Sequence, residues 1–165
     1  MEICLVRIDD RLVHGQVVTI WTKLVSPERI VVVCKEAYND KIRRVLVGQA
    51  APPDVKVNLV DVEKAIRVFH NPKYAKTKVF LLFANPTEVL EMVQAGIPIQ
   101  EVNVGGITYT ADRTQITKAI SVTKEDVHAF RELSRLGVKL DCRFTASDSP
   151  IDFEARLDDK FGKEN

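Results

Sequence analysis

The sequence predicts an α/β protein in which a three-layer, doubly wound and mainly parallel sheet carries helices on both faces. Two observations lead to this prediction. Short β-branched runs alternate with segments of helical period along the chain, and no repeat, low-complexity tract or linker interrupts them. The 165 residues are 45% hydrophobic, enough for one core, so residues 1–165 are predicted to form a single domain. Right-handed crossovers then place helices on both faces of the sheet.

The strands are predicted from continuous apolar runs, which are typical of strands buried on both faces. These runs are residues 3–8, 30–34, 55–60, 79–83 and 102–104, and residues 138–144 are strand-like as well. Residues 107–122 fit the alternation of strands and helices less well. Thr108 to Thr110 alternate like a strand, and residues 115–121 are compatible with either strand or loop.

The helices are predicted from apolar residues at i, i+3 and i+4, the stripe of a helix packed on a sheet. Three such stripes are Val17/Ile20/Trp21/Leu24, Ile42/Val45/Leu46 and Val62/Ala65/Ile66/Phe69. Two later helices carry start and stop signals, Asn85-Pro86-Thr87-Glu88 with Gly96, and Thr123/Asp126 with Gly137. Phe153, Leu157 and Phe161, spaced by four, predict a short last helix with a frayed, charged terminus.

The charge balance excludes some partners. With 24 Lys+Arg against 23 Asp+Glu, the net charge of +1 gives no basic surface for sequence-independent nucleic-acid binding and argues against general binding to a membrane surface. No apolar run approaches the roughly 18 residues of a membrane span, and no basic segment precedes the first apolar run. We therefore expect a cytoplasmic protein, with Cys4, Cys34 and Cys142 as reduced thiols.

Several chemistries lack their sequence patterns. The chain has no Gly-x-Gly-x-x-Gly after the first strand, no Walker-type glycine loop, no Gly-x-Ser-x-Gly elbow and no Cys/His ligand set. Dinucleotide binding, Walker-type nucleotide binding, acyl transfer and catalytic zinc are therefore unsupported. No cofactor or metal is expected.

The loop after the first strand, residues 7–16, concentrates the reactive groups, and ligands of open α/β sheets bind at such loops. His14 lies where the first helix should begin, and the free N–H groups of a first turn stabilise an anion. The positive end of the helix dipole also favours a neutral, nucleophilic imidazole. Gly15 lets the backbone approach a phosphate without an intervening Cβ.

Charged neighbours complete this candidate phosphohistidine site. Arg7 and Arg11 can each donate a bidentate fork to phosphoryl oxygens. Asp9 or Asp10 can accept a hydrogen bond from one ring nitrogen of His14 and leave the other to attack. The competing interpretation is a solvated turn around a partly buried histidine. The other two histidines, His70 at a helix end and His128 on a helix, are weak catalytic candidates.

A second candidate loop is Gly105-Gly106, at the end of a later strand. Two glycines permit positive φ and a nest of backbone N–H groups that suits a phosphate. A tight turn without ligand is the simpler alternative. The position at the carboxyl end of a strand favours the phosphate-binding interpretation.

Residues 6–17, with the sequence Val-Arg-Ile-Asp-Asp-Arg-Leu-Val-His-Gly-Gln-Val, closely resemble the active-site signature of one family. This family is the enzyme IIB component of the mannose/fructose/sorbose branch of the bacterial sugar phosphotransferase system. The resemblance continues through residues 103–106 and 116–127 and covers nearly the whole chain. It implies a protein-N(pi)-phosphohistidine–sugar phosphotransferase with a doubly wound fold, which uses no metal or nucleotide.

The resemblance also implies partners and residue roles. The phosphoryl group comes from the phosphohistidine of enzyme IIA, is accepted at Nδ1 of the residue matching His14, and passes to a sugar carried inward by the membrane IIC and IID subunits. Arg7, Asp9 and Arg11 match the family's loop, and Gly15 and Gln16 match its helix start. Contact with the membrane complex is expected to be peripheral only.

Residues 143–148, Arg-Phe-Thr-Ala-Ser-Asp, depart from the Arg-x-x-Pro-x-Asp pattern expected in the family, which puts a role of this segment in doubt. Leu12, Val13 and exposed apolar neighbours are expected to form the centre of a small docking surface that serves enzyme IIA and the membrane complex in turn. Sorbose, fructose and mannose all remain possible sugars, with sorbose preferred.

Two other functions stay open. One is a hydrolase similar to histidine phosphatases, whose motif has an arginine where this chain has Val13. The other is a non-catalytic flavodoxin-like module that binds a phosphorylated ligand.

Overall fold

A computed structural model describes residues 1–15 and 17–163 and shows an open sheet of six parallel strands. The strand order is β3-β2-β4-β1-β5-β8, and β6 and β7 form a separate antiparallel pair. The strands are β1 (Glu2–Asp9), β2 (Arg29–Val33), β3 (Lys56–Val60), β4 (Lys78–Phe83), β5 (Glu101–Gly106), β6 (Thr114–Gln115), β7 (Ser121–Val122) and β8 (Lys139–Asp141).

The helices connect these strands. A π-helical segment, Val17–Trp21, continues directly into the first α-helix, and Pro72–Tyr74 form a 3₁₀ turn. The α-helices are α1 (Thr22–Val25), α2 (Lys35–Asn39), α3 (Lys41–Gln49), α4 (Val62–Phe69), α5 (Pro86–Gln94), α6 (Lys124–Arg135) and α7 (Phe153–Phe161). Within the described residues, no helix is long and apolar enough to cross a membrane.

Alternate residues of the central strands enter two separate cores. In β4, Val79, Leu81 and Phe83 pack with side chains of α4, α5, α6 and α7, whereas Phe80 and Leu82 pack with the π-helical segment, α2 and α3. Side chains that alternate along a strand point to opposite faces of its sheet. Helices therefore cover both faces, which confirms the predicted three-layer fold.

The strand order places a crevice beside β1. After β1 the chain runs to β2 and β3 on one side, returns through β4, and then crosses to β5 on the other side of β1. In such sheets the carboxyl end of the strand at the reversal is the usual ligand site. Register pairing brings Asp9 of β1 opposite Gly106 of β5 at this point.

The predicted signals of α5 and α6 are confirmed. The Asn85 side chain accepts a hydrogen bond from the Glu88 N–H at 3.0 Å. Thr123 and Asp126 form a reciprocal capping box, with bonds of 3.1 and 2.9 Å. Gly96 and Gly137, which follow these helices, both have φ of +85°, a conformation that favours glycine.

One predicted apolar stripe does not face the sheet, and a second faces it only through Val17 and Trp21, which are buried. On α3, Ile42, Val45 and Leu46 are 73%, 58% and 57% exposed, and Val47 is buried instead. Periodicity identified an apolar face but not the direction in which the helix turns it. Near α1, the π-helical segment adds a residue to the turn, so the predicted spacing is broken and Leu24 is exposed.

Residues 107–122 and 138–144 contain less strand than the sequence suggests. Residues 108–113 form no strand, and the 107–122 region contains only the two-residue strands β6 and β7. The predicted strand 138–144 ends at Asp141, and Cys142 forms an isolated bridge with Ile151.

All three cysteines are free thiols. Burial raises the pKa of Cys142 to about 11, so this thiol is protonated near neutral pH.

Candidate functional site

The loop after β1 is anchored by its own apolar residues. Leu12 and Val13 are 3% and 7% exposed and belong to the core beneath the loop. The Leu12 N–H donates to the Asp9 carbonyl at 2.9 Å, and Leu12 has a φ of +60°. This left-handed residue reverses the chain and lifts His14 to the surface. The expectation that Leu12 and Val13 form an exposed docking centre is therefore wrong.

His14 is partly exposed, with 24% of its side-chain surface accessible. Its Nδ1 lies 2.9 Å from the Leu12 carbonyl oxygen. Because a carbonyl only accepts, a neutral ring in this orientation carries its proton on Nδ1. Nε2 is buried, lies 3.9 Å from Oδ2 of Asp9, and has no hydrogen-bond partner among the described residues.

Asp9 is the centre of the charge network. Its side chain is fully buried, and its carboxylate accepts from Nη2 of Arg7 at 3.0 Å and from Nε and Nη2 of Arg11, both at 3.1 Å. A buried carboxylate is tolerated when it is paired and fully hydrogen-bonded. Two arginines and one histidine therefore surround a single carboxylate, an arrangement that the sequence did not predict.

Arg7 does not face the solvent. It is 1% exposed, and its guanidinium donates to Asp9 and to Oδ1 of Asn103. Its Cζ lies 5.1 Å from the centroid of the Trp21 ring and 6.0 Å from that of the Phe144 ring. Burial lowers the pKa of the Arg7 guanidinium, and the Asp9 carboxylate opposes this shift. The predicted fork from Arg7 to phosphoryl oxygens is therefore wrong, because protein groups already occupy it. Arg7 instead lies behind Asp9 and holds that carboxylate from the inside of the protein.

Arg11 is the arginine that reaches the surface beside His14. Its side chain is 43% exposed, and its Cζ lies 5.3 Å from the Phe144 ring. The bidentate contact with Asp9 holds the guanidinium in one plane. Arg11 thus remains the candidate for contact with phosphoryl oxygens.

The structure contradicts the phosphate nest predicted at Gly105 and Gly106, whereas the prediction for Gly15 stays a prediction. Gly105 and Gly106 belong to β5 and are not among the glycines with positive φ, so the predicted nest is wrong. A Cβ on Gly105 would lie 2.0 Å from Cζ of Arg7, whereas a Cβ on Gly15 would meet no described atom within 4 Å. Gly105 therefore makes room for Arg7. Gln16 lies outside the described residues.

Asp10 acts on a different loop. Its carboxylate accepts from the N–H and Oγ1 of Thr108 at 2.8 and 2.9 Å and from Nη1 of Arg113 at 3.2 Å. These bonds attach residues 108–113 to the loop that carries His14. Of the two aspartates between which the sequence did not decide, Asp9 is the one beside the imidazole.

Three residues of the network were missed by the sequence analysis. Nδ2 of Asn103 donates to both an Asp141 oxygen, at 3.2 Å, and the Arg143 carbonyl, at 3.1 Å. Arg143 in turn forms a bidentate pair with Asp141 at 2.8 and 3.0 Å. The divergent segment 143–148 therefore does reach the site, through Arg143 and through the Phe144 ring above both arginines. A lone asparagine inside the apolar run of β5 was the available signal.

The other histidines lie elsewhere. His70 is the C-cap of α4, edge-to-face with Phe69, and His128 lies within α6. No group of three or more His, Cys, Asp or Glu side chains that could hold a metal ion occurs in the described part of the chain. The groups that the structure brings together at the site are one imidazole, one carboxylate and one exposed guanidinium.

Comparison with known proteins gives a consistent result. The family model "PTS system sorbose subfamily IIB component" matches residues 3–165. The sorbose-specific EIIB component of Lacticaseibacillus casei is 53% identical over 164 residues, which cover 99% of this chain and 100% of that protein. The fructose-specific EIIB component of Bacillus subtilis is 44% identical over 153 residues, covering 93% of this chain and 94% of that protein.

Two further relatives extend the comparison. The mannose-specific EIIAB component of Escherichia coli K12 is 48% identical over 151 residues, 92% of this chain but 47% of that protein. The crystal structure of the IIBSor domain of the Klebsiella pneumoniae sorbose permease superposes with a TM-score of 0.93 at 48% identity, covering 97% and 98% of the two chains. Neither a histidine phosphatase nor a non-catalytic flavodoxin-like module accounts for matches of this extent. The chain belongs to the sorbose subfamily of IIB components of the phosphotransferase system, which are sugar phosphotransferases.

Proposed function

We propose that this chain accepts a phosphoryl group on His14 from the phosphohistidine of a IIA component and passes it to a sugar carried by membrane IIC and IID components. The observation that carries the proposal is the position of the His14 ring, exposed at the carboxyl end of β1 with Asp9 3.9 Å from Nε2. The family works with IIA and membrane IIC/IID partners. The chain would then act in the cytoplasm, in peripheral contact with the membrane complex.

Sorbose is the proposed sugar. Two relatives that cover more than nine-tenths of this chain, at 53% and 48% identity, are named sorbose-specific. Mannose and fructose are the alternatives, because relatives at 48% and 44% identity carry those names. Uptake assays of the assembled transporter with each labelled sugar distinguish them, and preferred uptake of mannose or fructose would replace sorbose in the proposal.

His14 must reorient to react at Nδ1, the nitrogen that the family resemblance implies. In the observed orientation Nδ1 is hydrogen-bonded to the Leu12 carbonyl, and Nε2 is buried. Rotation of the ring away from Leu12, with the proton on Nε2, exposes the Nδ1 lone pair and lets Nε2–H donate to Asp9. Asp9 would then fix both the tautomer and the ring plane.

The transfer step needs no general base. The Nδ1 lone pair of neutral His14 forms the new N–P bond as the N–P bond of the donor phosphohistidine breaks, and the donor leaves as neutral imidazole. The phosphorylated His14 ring keeps its proton on Nε2 and is positively charged, which the Asp9 carboxylate stabilises. The transition state is loose, so in-line positioning and stabilisation of the phosphoryl oxygens provide most of the catalysis.

Arg11 is the proposed donor to the phosphoryl oxygens. Nε and Nη2 of Arg11 bind Asp9, which leaves Nη1 directed to the phosphoryl group. The backbone N–H groups of Gly15 and Gln16 are proposed to provide further donors, since no described side chain lies within 4 Å of the Cβ position at Gly15. Gly105 and Gly106 would contribute indirectly, by leaving room for the arginine network.

The direct test is transfer from phosphorylated IIA followed by mapping of the labelled residue by mass spectrometry. The expected result is one acid-labile, base-stable phosphoryl group on the peptide that contains His14. Label on a peptide with His70 or His128, or a base-labile label, would refute the assignment. Incubation without IIA serves as the control for chemical phosphorylation.

Arg11→Lys is expected to slow transfer more than it weakens docking. A lysine keeps the charge but cannot hold Asp9 in a bidentate contact and donate to a phosphoryl oxygen at the same time. At saturating phospho-IIA the transfer rate should fall about 10- to 100-fold, while the Kd for IIA changes less than about twofold. Arg43→Lys, on the surface of α3, is the matched control. Equal transfer rates for Arg11→Lys and wild type would exclude a catalytic function for Arg11.

A further inference from the structure

Phe144 lies beside the arginine that reaches the surface next to His14. Cζ of Arg11 is 5.3 Å from the centroid of the Phe144 ring, within the distance of about 6 Å at which an aromatic face attracts a cation. The ring is partly buried, and Cζ of Arg7, on the inner side of the network, lies 6.0 Å from the same centroid. One aromatic ring therefore lies beside both guanidinium groups that bind Asp9.

The backbone on both sides of Phe144 is held by buried donors. The Arg143 carbonyl accepts hydrogen bonds from Nδ2 of Asn103 at 3.1 Å and from Nη1 of Arg7 at 3.4 Å. The Phe144 carbonyl accepts from Nε1 of Trp21 at 3.4 Å. All three donor residues are at most 5% exposed. The ring is therefore attached to a segment that the interior of the protein keeps in place.

The turn after Phe144 is closed without the proline of the family pattern. The Thr145 N–H donates to Oδ2 of Asp148 at 2.7 Å, and the Asp148 N–H donates to the Thr145 carbonyl at 3.2 Å. Ala146, at the position of that proline, packs against the core beneath the loop after β1. The segment that carries the ring is thus fixed on its other side as well.

Asp9 alone does not fix the guanidinium of Arg11. The carboxylate accepts from Nε and Nη2, which lie along one edge of the guanidinium plane. A contact along one edge leaves the plane free to tilt about that edge, and the Arg11 side chain is 43% exposed. An aromatic ring beside the guanidinium opposes this tilt, because arginine stacks on aromatic faces. The two contacts together determine where Nη1 points.

We propose that Phe144 is a positioning residue for phosphoryl transfer, which holds the Arg11 guanidinium so that Nη1 faces the phosphoryl group at His14. This inference rests on the proposed transfer to His14. A hydrogen-bond donor stabilises the phosphoryl oxygens best when it is in place before the reaction, and a small misplacement slows the reaction. Phe144 acts through Arg11 and not on the phosphoryl group itself.

The first test compares rates of transfer from phospho-IIA. Phe144→Leu keeps an apolar side chain but removes the aromatic face, so the rate at saturating phospho-IIA should fall about 3- to 10-fold. Phe144→Tyr keeps the ring and should stay within about twofold of wild type. The Kd for IIA should change less than about twofold in both variants, because the lost interaction acts in the transition state.

Tyr74→Leu is the matched control for removal of a ring beside an arginine. Cζ of Arg29 lies 5.6 Å from the centroid of the Tyr74 ring. Arg29 is the first residue of β2, so this pair lies at the amino edge of the parallel sheet, opposite to His14. Tyr74→Leu should transfer the phosphoryl group at the wild-type rate.

Two further measurements separate the positioning of Arg11 from general damage to the site. In an Arg11→Ala background, Phe144→Leu should change the transfer rate less than about twofold, because no guanidinium is left to hold. In nitrogen NMR spectra of the free protein, a restrained Arg11 guanidinium should give separate signals for its two Nη atoms. The signals should merge in Phe144→Leu and stay separate in Phe144→Tyr. The spectra require neither IIA nor phosphoryl transfer.

Several outcomes would overturn the positioning function of Phe144. Equal rates for Phe144→Leu and wild type would do so, and so would an equal loss of rate in Phe144→Tyr. A weaker Kd for IIA with an unchanged rate at saturation would make Phe144 a docking residue, and an undiminished effect in the Arg11→Ala background would exclude action through Arg11. If Phe144→Leu does not fold, Phe144→Met takes its place. Absence of label on wild-type His14 would refute the proposed function, whereas label on His14 with equal rates refutes only the inference on Phe144.

Discussion

Replacing His14 with alanine is expected to reduce phosphorylation by phospho-IIA to below about 1% of the wild-type level, because no other described side chain in the loop can form the N–P bond. The fold should persist. The imidazole is partly exposed, and the contact of its Nδ1 with the Leu12 carbonyl is local. The free energy of unfolding should therefore change by less than about 1 kcal/mol. Label transfer and urea unfolding measure the two quantities.

His128→Ala is the matched control for this experiment. His128 lies within α6, away from the Asp9 network, so the variant should accept the phosphoryl group at the wild-type rate. Undiminished label on His14→Ala would show that another residue is the acceptor. A loss of label that accompanies unfolding of His14→Ala would instead assign His14 a structural function.

The site loop was predictable because its parts are contiguous. Residues 7–16, at and after the end of the first strand, contain Asp9, Arg11 and His14, and the carboxyl end of a parallel strand is a general ligand position. Helix start signals in the sequence, such as the capping box at Thr123, were also confirmed by the structure. These features depend on local spacing, which a sequence shows directly.

The supporting network was not predictable by the same means. Asn103, Asp141 and Arg143 lie 96 or more residues from Arg7, and only the pairing of β1 with β5 and of β5 with β8 brings them together. The buried position of Arg7 follows from that pairing too. A sequence shows a charged residue near a histidine but does not show whether protein groups already occupy its donors.

The sequence also did not predict which side of helix α3 faces the sheet. Ile42, Val45 and Leu46 have the spacing of an inward stripe, yet Val47 is the α3 residue in the core. Helix orientation depends on how the short α2 and the edge strand β3 hold α3 against the sheet. For α4, whose Val62 and Ala65 are buried as predicted, the same pattern gave the correct face.

Gly105→Ala is expected to disrupt the site from inside the sheet. The added Cβ would lie 2.0 Å from Cζ and 2.2 Å from both terminal nitrogens of Arg7, a distance that requires the guanidinium to move. Arg7 would then lose Asp9 and Asn103 while still buried, which costs about 3–5 kcal/mol when a buried pair is broken. For a chain of this size the Tm should fall by about 10 °C. Transfer from phospho-IIA should also fall at least about tenfold, since Asp9 loses a partner that fixes it.

Gly106→Ala tests whether the effect comes from this contact or from any side chain in β5. The atoms nearest to a Cβ on Gly106 are Nη2 of Arg11 at 3.4 Å and the Asp9 carboxylate at 3.5 Å. Arg11 is a flexible, partly exposed side chain. The free energy of unfolding should therefore change by less than about 1 kcal/mol. In an Arg7→Ala background, Gly105→Ala should add little further destabilisation, because the two changes remove the same interaction. Additive effects in this double-mutant cycle would show that Gly105 is required for a reason other than the space it leaves for Arg7.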